Sequence, residues 1–231
     1  MTTQSSAAVP TSKPFPNSLR GSNGLEAASD TALQIVRRID WRFLLPDPNL
    51  GQVAHIGPAQ ATLLESLRLF SESLTVMGMA GEDAGTTGQY DLVVASRPSY
   101  EALREAADLV RPGGFVYVEA CGPFWPGRLR RRDSCRLSFK GRRLRRPADY
   151  VAALQRLGLT EVQPHWHWPD FESCTRIVPL DDQAALRYVF VQRGRGTRAR
   201  VKAWLGRCLL WSGLLAWVVP CFSIVAHRGV E

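Results

Sequence analysis

The residues of this chain best suited to chemistry cluster in one run, His165-Trp166-His167-Trp168-Pro169-Asp170-Phe171-Glu172. On a β-strand, successive side chains point to opposite faces, so His165 and His167 would share one face while Trp166 faces the other way. A histidine base near neutral pH, beside an aromatic wall and the carboxylates of Asp170 and Glu172, suits proton abstraction from a substrate. The run therefore predicts a substrate site in which His165 or His167 is the base.

Two other interpretations of this run stay open. An ordinary strand that packs its tryptophans into a core and leaves its histidines partly solvated would give the same pattern. A metal site would need a third ligand, and nothing else in the sequence supplies one. We therefore expect no metal centre.

The segment 90–120 indicates how such a site would be positioned. Residues 90–96 and 115–120 are short apolar runs without alternation, which is typical of strands buried on both faces. Between them, residues 100–111 carry one apolar helical face, and Pro112-Gly113-Gly114 ends that helix. The pattern predicts a strand, a crossover helix and a second, parallel strand.

The remaining elements extend this arrangement. Strands are predicted over 51–56, 74–79, 161–168 and 222–226, and helices over 31–38, 62–70, 147–157, 181–187 and 198–219. This order predicts an α/β fold, a doubly wound and mostly parallel sheet with helices on both faces. Because ligands in such folds lie beyond the carboxyl ends of the strands, Gly57, Met79, Ser96 and 119–122 should border any site. Glu119 is there either a site carboxylate or a strand-end side chain that faces solvent.

Composition divides the chain into a tail, a domain and two inserts. Residues 1–29 are rich in Ser, Thr, Pro, Gly, Asn and Ala without apolar periodicity, which predicts a disordered tail. The domain then spans 30–231. It carries a basic insert over 124–147 and an apolar helical insert over 198–220.

The net charge of +8 is concentrated in two short segments. Residues 128–146 hold ten basic side chains and one acid, and residues 193–207 hold six basic side chains and no acid, so the rest is acidic overall. Such segments bind anionic membranes, phosphorylated substrates or nucleic acid, and they also occur as solvated loops. We expect an anionic membrane surface to be contacted through 128–146 and 198–219. Nucleic acid is the weaker alternative, because aromatic residues are sparse and no RNA-binding motif is present.

Residues 208–226 contain no charge, which meets the length criterion for a membrane-spanning helix. Pro220 and the strand pattern over 222–226 instead favour a helix that ends before a strand. Three placements of that helix stay open: in the core or cleft, in a membrane interface, or across a membrane.

The five cysteines are widely spaced and include no Cys-x-x-Cys pair, which argues against a zinc site and a disulfide framework. The first residues show no apolar secretory segment. We therefore expect a cytoplasmic protein, which would be peripheral at the membrane if its helix lies in a membrane interface.

Three motifs resemble those of class I S-adenosylmethionine-dependent methyltransferases, namely 53–61, 90–94 and 109–115. The resemblance covers roughly residues 50–168 and again 221–228, where the family has its last strand. It implies S-adenosylmethionine as the cofactor, with a binding set of His55, Gly57, Ala59, Ala61, Met79 and Ser96. It also implies methyl transfer to a small-molecule or lipid-linked biosynthetic acceptor, with Trp166, Asp170 and Glu172 on the acceptor side.

The sequence departs from the family pattern around the cofactor. His55 stands where an acid is usual, Ala59 and Ala61 replace two glycines, and no acid follows Met79 directly. About ten residues separate Met79 from Tyr90, where the family has another helix and strand, so the fold should be shortened between its second and fourth strands. The alternative function is a non-catalytic methyltransferase-like protein that acts as a partner or membrane-surface scaffold. Whether the chain is an enzyme, and its oligomeric state, stay open at this point.

Overall fold

The computed structural model describes residues 32–58, 60–77, 88–122, 144–191, 204, 206, 208–209, 211–212 and 215–230. The predicted tail, Ala59, Met79, most of the basic insert and part of the apolar insert lie outside these residues. The chain divides between Leu33 and Gln34, and the elements below belong to the unit Gln34–Glu231.

Seven strands form one mixed sheet in the described part of the chain. They are β1 (Gln52–Ile56), β2 (Ser73–Met77), β3 (Tyr90–Ser96), β4 (Val110–Cys121), β5 (Leu159–Trp168), β6 (Arg176–Pro179) and β7 (Cys221–Arg228). Their spatial order is β2-β1-β3-β4-β7-β5-β6. The neighbours from β2 to β4 pair in parallel, whereas β7 is antiparallel to both β4 and β5, and β6 is antiparallel to β5.

Helices pack on both faces of this sheet. They are α1 (Ala61–Phe70), α2 (Tyr100–Leu109), α3 (Pro147–Arg156), α4 (Gln183–Val191) and the short α5 (Leu215–Val218), with a 3-10 helix over Asp40–Leu44. Helices α2, α3 and α4 pack with one core, and α1 packs with residues 39–45 in a second core. The predicted doubly wound α/β sheet is thus confirmed, and the predicted last strand is present as β7.

A local cap begins the central helix, whereas pairing in the sheet ends it. The Ser99 side chain accepts a hydrogen bond from the Ala102 N–H at 3.3 Å, which caps the first turn of α2. The helix was predicted to reach Arg111 but ends at Leu109, because Val110 already pairs with Tyr90 in the sheet. The register then shifts before Leu92 pairs with Phe115, so the Pro-Gly-Gly sequence lies within β4 rather than before it.

The two edge strands of the sheet compare differently with the prediction. Strand β6 was not predicted, because four residues at a sheet edge carry too little pattern to be recognised. Strand β2 covers Ser73–Met77, and the last two residues of the predicted strand, 78–79, lie outside the described residues. Residues 78–89 connect β2 to β3, and 78–87 are not described, so the predicted shortening stays a prediction.

The predicted helix over 198–219 is represented by helical residues at 204, 206, 208–209 and 211 and by α5. Within the described ranges, no helix is both long enough and apolar enough to cross a bilayer.

Trp41 holds the segment after Gln34 against the sheet. Its ring stacks on Tyr117 of β4, with centroids 3.7 Å apart and planes inclined by 11°. Both side chains are almost fully buried, at 1% and 0% exposure, and Ile39 and Leu50 belong to the same core. This contact fixes the residues on either side of Trp41 over the middle of the sheet.

We predict that Trp41→Ala lowers the free energy of unfolding by about 3–5 kcal/mol, because it leaves a cavity over Tyr117. Urea denaturation followed by circular dichroism would measure the change. Trp211 is 95% exposed and provides the matched control, for which Trp211→Ala should cost about 0.5 kcal/mol or less. Equal losses in the two variants would contradict the packing described for Trp41.

Candidate functional site

A row of polar side chains crosses the sheet near the carboxyl ends of its parallel strands. Ser96 of β3 pairs with Glu119 of β4, Glu119 pairs with Ser223 of β7, and Ser223 pairs with His165 of β5. We call these four residues the polar row. All four are buried, at the edge where a doubly wound sheet binds its ligands.

Two more histidines join the polar row through its serines. The Nε2 atom of His55 lies 3.1 Å from the Ser96 hydroxyl, within hydrogen-bond distance. The Nε2 atom of His167 lies 2.8 Å from the Ser223 hydroxyl and 3.5 Å from the Tyr117 hydroxyl. The row therefore runs continuously from β1 to β5.

Arg38 covers the centre of the row and forms an ion pair with Glu119. Its Nη1 donates to Oε1 of Glu119 at 2.7 Å, and its Nη2 donates to Oε2 at 2.6 Å. The residues are only 3% and 5% exposed, so the pair lies in the interior. The same Nη2 donates to Oε1 of Gln60 at 3.2 Å. Gln60 immediately precedes α1, so Arg38 connects the loop after β1 to the end of β4.

The aromatic neighbours of Arg38 set its position. Trp41, three residues later, stacks on Tyr117, which is two residues before Glu119 on the same face of β4. On another side, the guanidinium carbon of Arg38 lies 5.5 Å from the Phe171 ring centroid, close enough for a cation–π contact. Burial alone would lower the pKa of Arg38, but the charge and hydrogen bonds of Glu119 raise it overall. The guanidinium therefore stays charged.

The three buried histidines are neutral near pH 7. Burial, with a smaller opposing effect of Glu119, lowers the pKa of His55 to about 4. Burial and the charge of Arg38 lower the pKa of His167 to about 3, and burial lowers the pKa of His165. The positive charge of Arg38 is balanced by Glu119, so the described part of the row has no uncompensated positive charge.

The loop after β1 was predicted to hold a cofactor, and its first residue is under tight constraint. Gly57 has a φ of +105°, and a Cβ atom there would collide with the carbonyl oxygen of Ser96. Only glycine suits both this positive φ and this close contact, so packing against β3 is enough to explain the glycine at position 57. The loop keeps surface open to solvent, since Gly57 and Gln60 are half-buried and Ala61 is exposed.

His55 and Ser96 lie directly beneath this loop. Both were predicted to contact the cofactor, but their side chains are buried and hydrogen-bonded to each other. Ala59 and Met79, the other members of the predicted set, lie outside the described residues. The cofactor contacts of all these residues stay predictions.

The predicted acceptor residues separate into two groups. His165 belongs to the polar row, and His167 lies beside it. Trp166 points to the opposite face, into the core, and its ring centroid lies 5.0 Å from that of Trp168. Asp170 accepts hydrogen bonds from the N–H groups of Glu172 and Ser173, and so stabilises its own turn. The charge of the exposed Glu172 contributes to raising the pKa of Arg38. Their roles toward an acceptor stay predictions.

The structure settles one alternative and adds residues that the sequence did not indicate. Glu119 is buried, so the interpretation of it as a solvent-facing strand end is wrong. Arg38, Tyr117, Ser223 and Gln60 were missed. A buried partner for Glu119 could have been inferred from its place between apolar residues late in β4, but nothing in the sequence identifies Arg38 as that partner.

Among the described residues, no group of three or more His, Cys, Asp or Glu side chains is arranged to hold a metal ion.

Neither charge nor access at the described residues opposes S-adenosylmethionine, the cofactor that the family resemblance implies, at the loop after β1. That cofactor carries a cationic sulfonium, and a site with neutral histidines and a compensated arginine does not repel it. The half-buried Gly57 and Gln60 leave the loop accessible to a ligand. The ribose contact that the family resemblance implies follows β2, outside the described residues.

Comparison with known proteins gives only distant structural similarity. No protein-family profile matches the chain, and no curated protein matches it. An S-adenosylmethionine-dependent methyltransferase of Thermotoga maritima, described as a possible histamine N-methyltransferase, is 11% identical with a TM-score of 0.45 over 90% of this chain and 96% of that one. An S-adenosylmethionine-dependent methyltransferase of Archaeoglobus fulgidus is 11% identical with a TM-score of 0.45, over 90% and 95%.

A phosphoethanolamine N-methyltransferase 2 of Haemonchus contortus is 11% identical with a TM-score of 0.46. The match covers 84% of this chain but only 53% of that protein. Identities at this level do not indicate an acceptor or a catalytic residue.

We predict that Glu119→Gln lowers the free energy of unfolding by about 3–5 kcal/mol, because it leaves the buried Arg38 charge uncompensated. The double variant Arg38→Met with Glu119→Leu should recover most of that loss, since it removes both charges at similar volume. Denaturant unfolding measures both changes. The control is Arg111→Ala, which breaks the pair between the exposed Arg111 and the half-buried Asp91 and should cost about 0–1 kcal/mol. A Glu119→Gln loss no larger than that of the control would contradict a buried, compensated pair.

Proposed function

We propose that this protein transfers a methyl group from S-adenosylmethionine to a small-molecule or lipid-linked biosynthetic acceptor. One observation carries the proposal: the loop after β1 is accessible at the edge where the parallel strands end, above a polar row without uncompensated positive charge. The placement of β7, antiparallel between β4 and β5, agrees with the family resemblance. The sheet alone would suit several functions, so the proposal depends on this edge rather than on the fold.

Each part of the edge has a role in the proposed reaction. When bound, S-adenosylmethionine supplies an electrophilic methyl group on a sulfonium. The backbone after Gly57 and the side chain of Gln60 would hold the cofactor, and the Arg38–Glu119 pair would keep Gln60 in place. Because the sheet fixes these groups in advance, their main contribution is orientation of the two reactants.

The buried histidines suit a modest role in proton transfer. His167, with a pKa of about 3, is unprotonated near pH 7 but is a weak base. His165 lies on the same face and is the alternative. Such bases favour an acceptor that loses its proton readily, or one that needs only to be positioned.

A lipid-linked acceptor receives support from exposed apolar residues in the C-terminal part of the chain. Trp204, Trp211 and Val218 are spaced seven residues apart and are 64%, 95% and 42% exposed. Trp204 and Trp211 stand at this spacing among helical residues and share one side of a helix, whereas Ser212 is a turn and Val218 lies in the separate helix α5. The sequence from 193 to 207 is basic without an acid, and exposed tryptophans beside basic residues suit the interface of an anionic membrane. We infer that the acceptor is reached at such a surface, through 198–219 and the basic segment 128–146.

The second candidate is a non-catalytic protein with the same fold. The specific observation in its favour is that Arg38 occupies the end of β4 and pairs with Glu119, the buried carboxylate of the polar row. In this case the polar row is structural, and the protein acts as a partner or a membrane-surface scaffold. Cofactor binding separates the two candidates.

We predict that the protein binds S-adenosylhomocysteine, as measured by isothermal titration calorimetry. Ala61→Trp should weaken binding by at least about tenfold, or about 1.4 kcal/mol, because it fills the exposed surface beside the loop after β1. Leu69→Trp, at an exposed position of the same helix, is the matched control and should bind as the natural sequence does. Absence of binding at millimolar ligand would exclude the enzyme and favour the non-catalytic candidate.

We also predict that the protein floats with vesicles of phosphatidylcholine and phosphatidylglycerol, and less with phosphatidylcholine alone. Replacing both Trp204 and Trp211 with Ala should reduce partitioning by at least about tenfold, because two large aromatic side chains no longer enter the interface. Leu69→Ala, 59% exposed on α1, is the control. Deletion of 128–146 tests how much of the partitioning to vesicles depends on the basic segment. Equal partitioning of the double variant and the natural sequence would overturn the membrane proposal.

A further inference from the structure

The sheet brings two cysteines together that lie far apart in the sequence. Cys121, the last residue of β4, pairs with Cys221, the first residue of β7. Both are free thiols, Cys221 fully buried and Cys121 half-buried. The spacing of the five cysteines has no characteristic pattern and does not indicate this contact.

The pairing geometry is that of a close cross-strand contact. The N–H of Gly122 donates to the carbonyl of Pro220 at 2.9 Å, so the ladder hydrogen bond lies just outside the cysteine pair. Cys121 and Cys221 therefore occupy a non-hydrogen-bonded position, where Cα atoms are about 4.5 Å apart and side chains are closest. Disulfides span Cα separations from about 4.4 to about 6.8 Å, so the strands need little movement to be bridged.

We propose that Cys121 and Cys221 form a reversible disulfide-forming site, with Cys121 as the attacking thiol and Cys221 as the resolving thiol. The proposal is independent of the proposed methyl transfer. It requires an oxidant of the class of small-molecule disulfides, such as oxidised glutathione.

The half-buried Cys121 is reached first. Its thiolate attacks one sulfur of the small disulfide, the sulfur–sulfur bond of that reagent breaks, and one reagent thiolate leaves and takes up a proton. Cys221 then gives up its proton and attacks the sulfur of Cys121, and the second reagent thiolate leaves. Two protein thiols are thus oxidised to one disulfide, while one small disulfide is reduced to two thiols.

The surroundings of the pair agree with these roles. The hydrogen bond from Cys221, opposed by burial and assisted by the charge of Arg97, lowers the pKa of Cys121 to about 7. The contact with Cys121 and burial raise the pKa of Cys221. Thiolates attack and thiols do not, so Cys121 is the better nucleophile. The bridge would lie two residues from the Glu119–Ser223 pair of the polar row.

The test uses the full chain, incubated with oxidised glutathione, alkylated and digested for mass spectrometry. We expect a peptide that joins Cys121 to Cys221, lacks two hydrogens, and is lost after dithiothreitol treatment. Cys221→Ser should lose this peptide and accumulate a glutathione adduct on Cys121. Cys208→Ser, at an exposed cysteine, is the matched control and should keep the cross-linked peptide.

Measurements on the natural sequence keep the test decisive if Cys221→Ser does not fold. A glutathione adduct that persists on Cys121, or a disulfide from Cys121 to any other cysteine, would overturn the proposal. So would full alkylation of both Cys121 and Cys221 under conditions that modify Cys208. The unfolding midpoint should be higher in the oxidised than in the reduced protein, because the bridge closes a loop of about 100 residues.

Discussion

The ion pair between Arg38 and Glu119 is the interaction on which the rest of this structure depends. An unpaired charge in the interior costs several kcal/mol, so neither residue can be buried unless the other is held beside it. That requirement fixes three parts of the chain relative to one another: the segment before Trp41, the end of β4 and the loop that contains Gln60. The pair is buried beside the stacked rings of Trp41 and Tyr117, and the low dielectric constant of the interior strengthens the attraction between the two charges. The histidines beside the pair are neutral because the same burial disfavours their charged form.

Much of the fold could be predicted because buried parallel strands leave a clear mark in the sequence. Strand β3 was predicted with both ends correct, since an uninterrupted apolar run, Leu92-Val93-Val94-Ala95, lies at its centre. The end of α2 was misplaced by two residues, because the pairing of Val110 with Tyr90 depends on a strand about twenty positions away and outweighs the local helical pattern. Strand β6 has only four residues at an edge, so packing against β5 decides its structure rather than its own sequence.

The site was predictable in part, and for a definite reason. His55, Ser96, Glu119, His165 and His167 could all be named, because each lies at or near the end of a recognisable strand. Arg38 could not, since its partner is 81 positions away and an arginine before Trp41 looks like any surface residue. The roles of Tyr117, Ser223 and Cys221 also depend on which strands become neighbours. Because β7 enters the sheet between β4 and β5, those neighbours are set by topology and not by local pattern.

That position of β7 bears on the order in which the chain can fold during synthesis. Strands β4 and β5 do not pair with each other; each pairs with β7, which the ribosome makes about fifty residues after β5. Until β7 emerges, the described sheet can assemble from β2 to β4, while β5 and β6 have no partner that joins them to it. A nascent chain therefore exposes two strand edges that invite wrong pairing, and the late contacts have a large sequence separation that slows folding. Arg228 reinforces the late step, because it donates hydrogen bonds to the carbonyl oxygens of Ala107 and Val110 and so attaches the last strand to the end of the central helix.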